Sequence, residues 1–352
     1  MNRNKTCSIA LVGFGGAGAH HLNMLKTTDY FTVAGIYDID PARCAVAIAE
    51  GYNVFSSLDA MLQDLTIDAV LIATPNDSHK DISIAALKAG KHVICEKPVT
   101  LNSEELSDIL EVAQSVEKHF IVHQNRRWDP DYLIIKEIFN KKMVGEVYNL
   151  QTRAQGAIGV PRDWRLLQKC AGGMLFDWGV HLIDRSILLF DERILSVYCR
   201  LSYITGEEVD DGFKLLINLE NNKSITIEVG TNDLIKLPMW YMNGINGAAI
   251  VEGWNLNGYV IERKEKVNGL VPPILAGVGV TRTLAPLPDN FINKSPLPEV
   301  KGNIIEFYEN AYDCFMFNKA PLVRNDQVMR VMKIMEAAIQ SHNTNSAIAC
   351  YL

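Results

Sequence analysis

Short apolar runs alternate with amphipathic stretches over the first third of the chain. Residues 8–12, 33–37, 69–73, 92–95 and 120–123 are brief and mostly Val, Ile, Leu and Ala, which predicts buried strands. Between them, residues 19–27, 41–50, 57–63, 78–89 and 103–118 read as helices. Gly90 follows the fourth of these directly, as a helix-ending glycine does. Alternation of this kind predicts a parallel sheet with helices on both faces.

Beyond residue 145 the pattern changes. One long helical stretch, 173–190, precedes strand-like runs at 194–201, 212–219, 224–229, 238–243, 248–252 and 259–263. Asn221-Asn222 and Asn246-Gly247 stand between neighbouring runs and predict hairpins. The second half therefore reads as an open, mostly antiparallel sheet with helices on one face. Residues 264–300, rich in Pro and Gly, predict a long loop. Helices at 302–317 and 325–342 close the chain, and Val328, Val331, Met332 and Met335 are spaced as core positions. The expected fold class is α/β joined to α+β, with domains at 1–124 and 125–352.

Composition narrows the class. A chain of 352 residues suits two domains, and 48% hydrophobic with 21% charged residues is ordinary for a globular protein. The net charge of −7 argues against a nucleic-acid partner, which would need a basic face. Seven widely spaced cysteines without a CxxC point away from a disulfide framework and towards a reducing, cytoplasmic setting. No apolar run is long enough to span a membrane. Arg3 and Lys5 before an apolar stretch, with Ala17-Gly18-Ala19 behind it, imitate a secretory leader. The glycines inside that stretch argue against one.

Those glycines are the first chemical signal. Gly13-Phe14-Gly15-Gly16-Ala17-Gly18 follows an expected strand and opens an expected helix, the context a dinucleotide fingerprint requires. Gly13 permits the tight turn, Gly15 close approach of a pyrophosphate, and Gly18 close helix–strand packing. The helix N-terminus offers N–H groups and partial positive charge to phosphate. Asp38 ends the second expected strand twenty residues after Gly18, where a carboxylate receives the ribose hydroxyls. It would repel a 2′-phosphate and so favours NAD over NADP, although Arg43 close by could neutralise such a phosphate. Asp38 as a plain turn residue before Asp40-Pro41 is the alternative.

Glu96-Lys97-Pro98 follows the fourth expected strand, at the sheet edge where open α/β folds bind ligands. A half-buried lysine there can polarise a hydroxyl, whereas a surface lysine would do nothing. A cis Lys97–Pro98 peptide is open, with trans the default. Downstream, Asp177, His181 and Asp184 are spaced to share one helical face behind Gly172-Gly173. A carboxylate one turn from an imidazole can orient it as a general base. The glycine pair would allow close approach of the cofactor. A helix start with a satisfied histidine is the bland alternative. An Asp177–His181 zinc pair is a third, but no further ligand of suitable spacing is visible, so no metal is expected.

Taken together, these residues resemble the glucose–fructose oxidoreductase and inositol dehydrogenase family. The resemblance runs through Gly13–Gly18, Tyr37-Asp38, Ala73-Thr74-Pro75-Asn76 with His79, Glu96-Lys97-Pro98, Gln124-Asn125-Arg126-Arg127-Trp128 and the 172–184 cluster. It implies a Rossmann domain and an open-sheet domain with substrate between them, and homo-oligomers formed through the sheet face. It implies catalysis by Lys97, Asp177 and His181 on a secondary hydroxyl of a sugar, cyclitol or glycoside. It implies cofactor contacts from Thr74, Asn76, His79, Glu96 and Lys97, with Trp164-Arg165 beside the nicotinamide. Arg127 and Trp164 are further substrate candidates, Trp164 being equally readable as a core residue. A looser similarity around Arg162-Asp163-Trp164-Arg165 favours oxidation at C3 of a glucoside. Trp178 and Val180 depart from the family pattern. The rival is a non-catalytic NAD- or sugar-binding regulator of the same fold.

Overall fold

The computed structural model describes residues 5–264, 273–281 and 287–352. Its first layer is a five-stranded parallel sheet. The strands are β1 (Cys7–Val12), β2 (Phe31–Tyr37), β3 (Ala69–Ile72), β4 (His92–Cys95) and β5 (Phe120–Val122), in the order β2-β1-β3-β4-β5. They alternate with α1 (Gly16–Lys26), α2 (Pro41–Ala49), α3 (Leu58–Gln63), α4 (His79–Lys88) and α5 (Ser103–Ser115). Every side chain of β3 is fully buried, as continuous apolar strands between two helix layers must be. The helices start where their caps dictate. Asp40, Ser57 and Asn102 each accept a backbone N–H from the first turn of α2, α3 and α5.

The switch in strand order lies between β1 and β3. Gly13, Thr74, Lys97 and Gln124 sit just past the carboxyl ends of β1, β3, β4 and β5, so one edge of the sheet collects them.

A nine-stranded sheet forms the second layer. After α6 (Pro130–Asn140) come β6 (Val147–Gln155), α7 (Val180–Ile187), β7 (Ile194–Ser202), β8 (Gly212–Leu219) and β9 (Ser224–Gly230). Then follow β10 (Trp240–Gly244), β11 (Gly247–Val251), β12 (Gly258–Arg263), the small hairpin β13 (Ile274–Ala276) and β14 (Gly279–Thr281), and β15 (Ile292–Pro296). The chain ends with α8 (Ile305–Phe317), α9 (Asn325–Thr344) and β16 (Ile348–Ala349). The order is β15-β12-β11-β10-β6-β9-β8-β7-β16, antiparallel except at β6–β9. Helices α7 and α9 cover one face. The turn at Asn221-Asn222 is left-handed at both residues, which is why asparagine occupies it.

The expected loop at 264–300 needs correction. Its described part holds the β13–β14 hairpin and the edge strand β15, while 265–272 and 282–286 lie outside the described residues, as does Arg3. Strand β6 and helix α6 have no counterpart among the elements expected from the sequence. Alternation in β6 is blurred by its half-buried polar residues Asn149, Gln151 and Arg153, which hydrogen-bond one another and Glu228 instead of facing water freely.

The C-terminal helices lock the layers together. From α8, the Tyr308 hydroxyl meets His21 Nδ1 at 2.9 Å and the Tyr312 hydroxyl donates to the Lys5 carbonyl. From α9, Glu336 accepts both the N–H and the hydroxyl of Ser103 at the start of α5.

Candidate active site

Two of the fingerprint glycines are filled by protein and two are open. A Cβ on Gly13 would sit 2.6 Å from the Ala73 carbonyl oxygen, and its φ of +91° suits glycine alone. A Cβ on Gly18 would collide with the Gly13 carbonyl. At Gly15 and Gly16, by contrast, a Cβ would meet nothing within 4 Å. Helix α1 begins there with no side-chain cap and no acid in its first turn, so its leading N–H groups are available. Asp38 is tied to the same turn. Its Oδ2 accepts the Phe14 N–H at 2.6 Å and its Oδ1 the Asp40 N–H at 2.8 Å. The Phe14 side chain is buried against Tyr52, Ala17 is exposed on the first turn of α1, and Arg43 is exposed on α2. The open cradle, free N–H groups and rim carboxylate fit a dinucleotide.

Lys97 leaves β4 through a cis Lys97–Pro98 peptide, against the trans default. Side chains below it hold that turn. His79, fully buried, lies between the carbonyls of Thr74 (2.9 Å) and Pro98 (3.0 Å). Burial holds its imidazole below the ordinary range. Thr74 itself takes a hydrogen bond from Ser78. Asn76 donates to the Cys170 carbonyl at 2.9 Å, joining the parallel sheet to the segment ahead of the 172–184 cluster. Glu96 turns inward. Its Oε1 lies 2.8 Å from His21 Nε2 and 2.7 Å from His123 Nδ1, while Oε2 accepts the Lys97 N–H at 2.9 Å. Burial raises the Glu96 carboxyl, but His123 and His21 outweigh it and hold the group well below the carboxylate range. The side chains of Asn76, His79 and Glu96 are thus engaged with protein.

The 173–190 helix is not uniform. Residues Leu175–Gly179 form a π-turn before α7 continues as α-helix. The extra residue in a π-turn rotates the side chains before it relative to those after it, and the expected Asp177–His181 contact is not made. Asp177 turns to Lys97 instead. Lys97 Nζ donates to Asp177 Oδ1 and to its carbonyl, both at 3.1 Å, and Arg165 Nε reaches Oδ1 at 3.2 Å. Burial raises the Asp177 carboxyl, but the charges of Lys97 and Arg165 win and leave it below its ordinary value.

His181 is 4% exposed, and its Nδ1 has no hydrogen-bond partner. Burial first, then the charges of Lys97, Arg126 and Arg185, hold it well below the usual imidazole value, so it is neutral near pH 7. Its helix is fixed by Arg185, whose buried guanidinium meets Asp131 at 3.0 Å, with Trp240 Nε1 donating to the same carboxylate.

Three other expectations change. Asp184 does not join the Asp177 group but grips Arg127 in a two-point ion pair, 2.8 and 2.6 Å. Arg127, expected at the substrate, is therefore spent on Asp184 and Gln327. What approaches Gly172-Gly173 closely is protein: a Cβ on Gly172 would collide with the Arg165 carbonyl, and one on Gly173 with the Asp210 carboxylate. Asp210 Oδ2 accepts the Leu175 N–H at 2.9 Å and so caps the π-turn. Burial pushes its carboxyl up to about 7. Trp164 is half-buried outside the core, with the Arg165 guanidinium 4.5 Å over its ring.

Sequence reasoning missed several neighbours. Arg126 stacks 4.3 Å over Trp178 and 5.6 Å from Trp254, and Gln124 is buried at the end of β5 with both amide atoms unpartnered. A cavity of about 220 Å³ opens from Asp177 towards Trp178 and Trp254. Only the Asn-Arg-Arg-Trp segment hinted at Arg126. Trp254, on the turn between β11 and β12, carries no sequence signal.

With this geometry in place, the comparisons decide the family. Residues 7–124 match the model described as "Oxidoreductase family, NAD-binding Rossmann fold", and 132–248 match the GFO/IDH/MocA C-terminal domain. An uncharacterized oxidoreductase of Schizosaccharomyces pombe is 31% identical over 328 residues, 84% of each chain. The chain belongs to the GFO/IDH/MocA oxidoreductase family. It is an oxidoreductase with an NAD-binding Rossmann fold. An inositol 2-dehydrogenase of Corynebacterium glutamicum is 29% identical over 237 residues, 65% of this chain and 68% of that one. The crystal structure of an NAD-binding protein from Listeria innocua superposes with a TM-score of 0.93 at 44% identity, covering 98% of this chain and 99% of that one. No helix among the described residues is long and apolar enough to cross a membrane.

Proposed function

We propose that this oxidoreductase oxidises or reduces a secondary hydroxyl on the ring of a sugar, cyclitol or glycoside, with C3 of a glucoside as the favoured position. The observation that carries the reading is the pairing of Lys97 Nζ with Asp177 beside a buried, neutral and unpartnered His181. Lys97 and the glycine turn both follow the carboxyl ends of strands in the same parallel sheet, and Asp177 is brought to Lys97 from the other layer. Lys97 donates to the substrate oxygen and stabilises negative charge as it develops there. His181 accepts the hydroxyl proton. Asp177 positions the Lys97 ammonium and compensates its charge, and Arg165 holds Asp177 from the other side. A bound nicotinamide supplies the hydride acceptor. Asp38 supports NAD over NADP, because its carboxylate already faces the end of the glycine turn and would repel a 2′-phosphate.

A cytoplasmic homo-oligomer belongs to the same reading. All seven cysteines are free, and the sheet face away from α7 and α9 carries exposed Leu216. The test is to incubate the protein with NAD or NADP and a panel of inositols and methyl glucosides, following reduced-nicotinamide absorbance and identifying products by mass spectrometry. Oxidised product from at least one ring alcohol is expected, with NAD preferred. No turnover of any panel member in either direction overturns the reading.

A further inference from the structure

The cavity beside Asp177 is lined by Trp178, Trp254, Ile158, Pro161, Met174 and Val229, with Ala154, Gln155, Thr231 and glycines between them. It touches Asp177 but, among the described residues, neither Lys97 nor His181. It therefore lies beyond the reacting centre, where the remainder of a substrate would extend. At about 220 Å³ it falls below the roughly 300–1,000 Å³ of pockets for drug-sized ligands. It is of the order of one ring.

Away from Asp177 and the two indole N–H groups, its polar atoms are bonded within the protein. Gln155 donates to Asp233 and accepts the Leu237 N–H, so both ends of its amide are committed. The Thr231 hydroxyl donates to the Asp211 carbonyl. The Gly156 N–H bonds the Gly230 carbonyl, the Gly156 carbonyl accepts from Asp233, and the Gly159 N–H bonds the Thr231 carbonyl. A sugar hydroxyl placed against that wall would lose water without gaining a partner, a cost of about 1–3 kcal/mol per group. An apolar group gains contact instead. Trp178 and Trp254 stand 5.9 Å apart between centroids, and the Arg126 guanidinium over both rings holds them. At the mouth, Trp254 is 54% and Ile158 98% exposed, large apolar surfaces left to solvent beside a catalytic cleft.

We infer that this cavity is a subsite for a flat apolar substituent carried by the ring that reacts, so that the substrate is an aryl glycoside rather than a free cyclitol. The inference rests on the ring-hydroxyl reading above and narrows it. The aryl group enters between Ile158 and Trp254 and lies against the two indoles, while the sugar ring presents its hydroxyl to Lys97 and His181.

The experiment uses the full chain with saturating NAD, phenyl β-D-glucopyranoside and methyl β-D-glucopyranoside. Kinetics are measured for the wild type and Trp254→Ala, and binding of each glycoside by calorimetry. Trp254 is half-exposed on a turn, so its replacement leaves the core intact. The wild type is expected to favour the phenyl over the methyl glycoside by about tenfold in kcat/KM, mostly through KM, and Trp254→Ala to bring that ratio close to one. Calorimetry should show the same change in relative affinity. Equal handling of the two glycosides by the wild type, or a ratio that Trp254→Ala does not move, overturns the inference. If neither glycoside is turned over but calorimetry still discriminates them through Trp254, the subsite stands and the ring-oxidation reading falls.

Discussion

Two glycine-bearing turns dominate this molecule, and they use glycine in opposite ways. At Gly13–Gly18 the outer glycines pack against protein, but Gly15 and Gly16 face open space at the start of α1. At Gly172-Gly173 no space is left, since the Arg165 carbonyl and the Asp210 carboxylate occupy what a side chain would fill. The first turn leaves room for a ligand. The second is shaped by the chain itself, and its tight packing sets the π-turn that aims Asp177 at Lys97. A glycine motif thus indicates close approach, and only the surroundings tell whether ligand or protein approaches.

Four predictions press on that contrast. Lys97→Ala removes the group on which both turns converge. We expect kcat/KM to fall about 10³-fold, about 4 kcal/mol, with NAD affinity unchanged by calorimetry; full turnover would dissolve the link between the two regions. Gly173→Ala meets both a φ of +94° and the Asp210 carboxylate, so a loss of about 2–4 kcal/mol in urea-unfolding stability is expected. Stability within about 0.5 kcal/mol of wild type would show that this turn is not packed as described.

Asp210 adds a pH signature to the second turn. Its folded carboxyl sits at about 7 against an ordinary 3.8, so the folded state holds the proton more tightly. The stability it contributes is complete below the ordinary carboxyl range and is lost as pH rises through about 7. Melting temperature should therefore decline between about pH 5 and about pH 8, and Asp210→Asn should flatten that decline while still capping Leu175. An unchanged slope in the variant would assign the pH dependence elsewhere. The smallest effect is expected at the first turn. Gly15→Ala has room in the free protein, so its melting temperature should match wild type, while the methyl group crowds the pyrophosphate and weakens NAD binding about tenfold. Equal losses of stability and NAD affinity would erase the distinction between the turns.

The parallel-sheet half was legible because its signals are local. Continuous apolar strands such as 69–72, capping residues such as Asp40 and Asn102, and the glycine fingerprint each act within a few residues of their effect. Lys97 was legible for the same reason, since the end of a strand in such a sheet is a known place. Strand β6 was not, because its polar positions are satisfied by Glu228 across the sheet and by one another along the strand. The β13–β14 hairpin and β15 hid in a segment whose Pro and Gly content mimics a loop.

Local patterns were enough for the two layers, the glycine turn and the candidates Lys97, Asp177 and His181. How they meet was set by packing between distant segments. Spacing of four residues put Asp177 beside His181, yet Asp177 went to Lys97, eighty residues away. Arg127 and Asp184, fifty-seven residues apart, took each other instead of the substrate. A buried charge must find the partner that the packing brings within reach, and the π-turn, capped from Asp210, changed which partner that was.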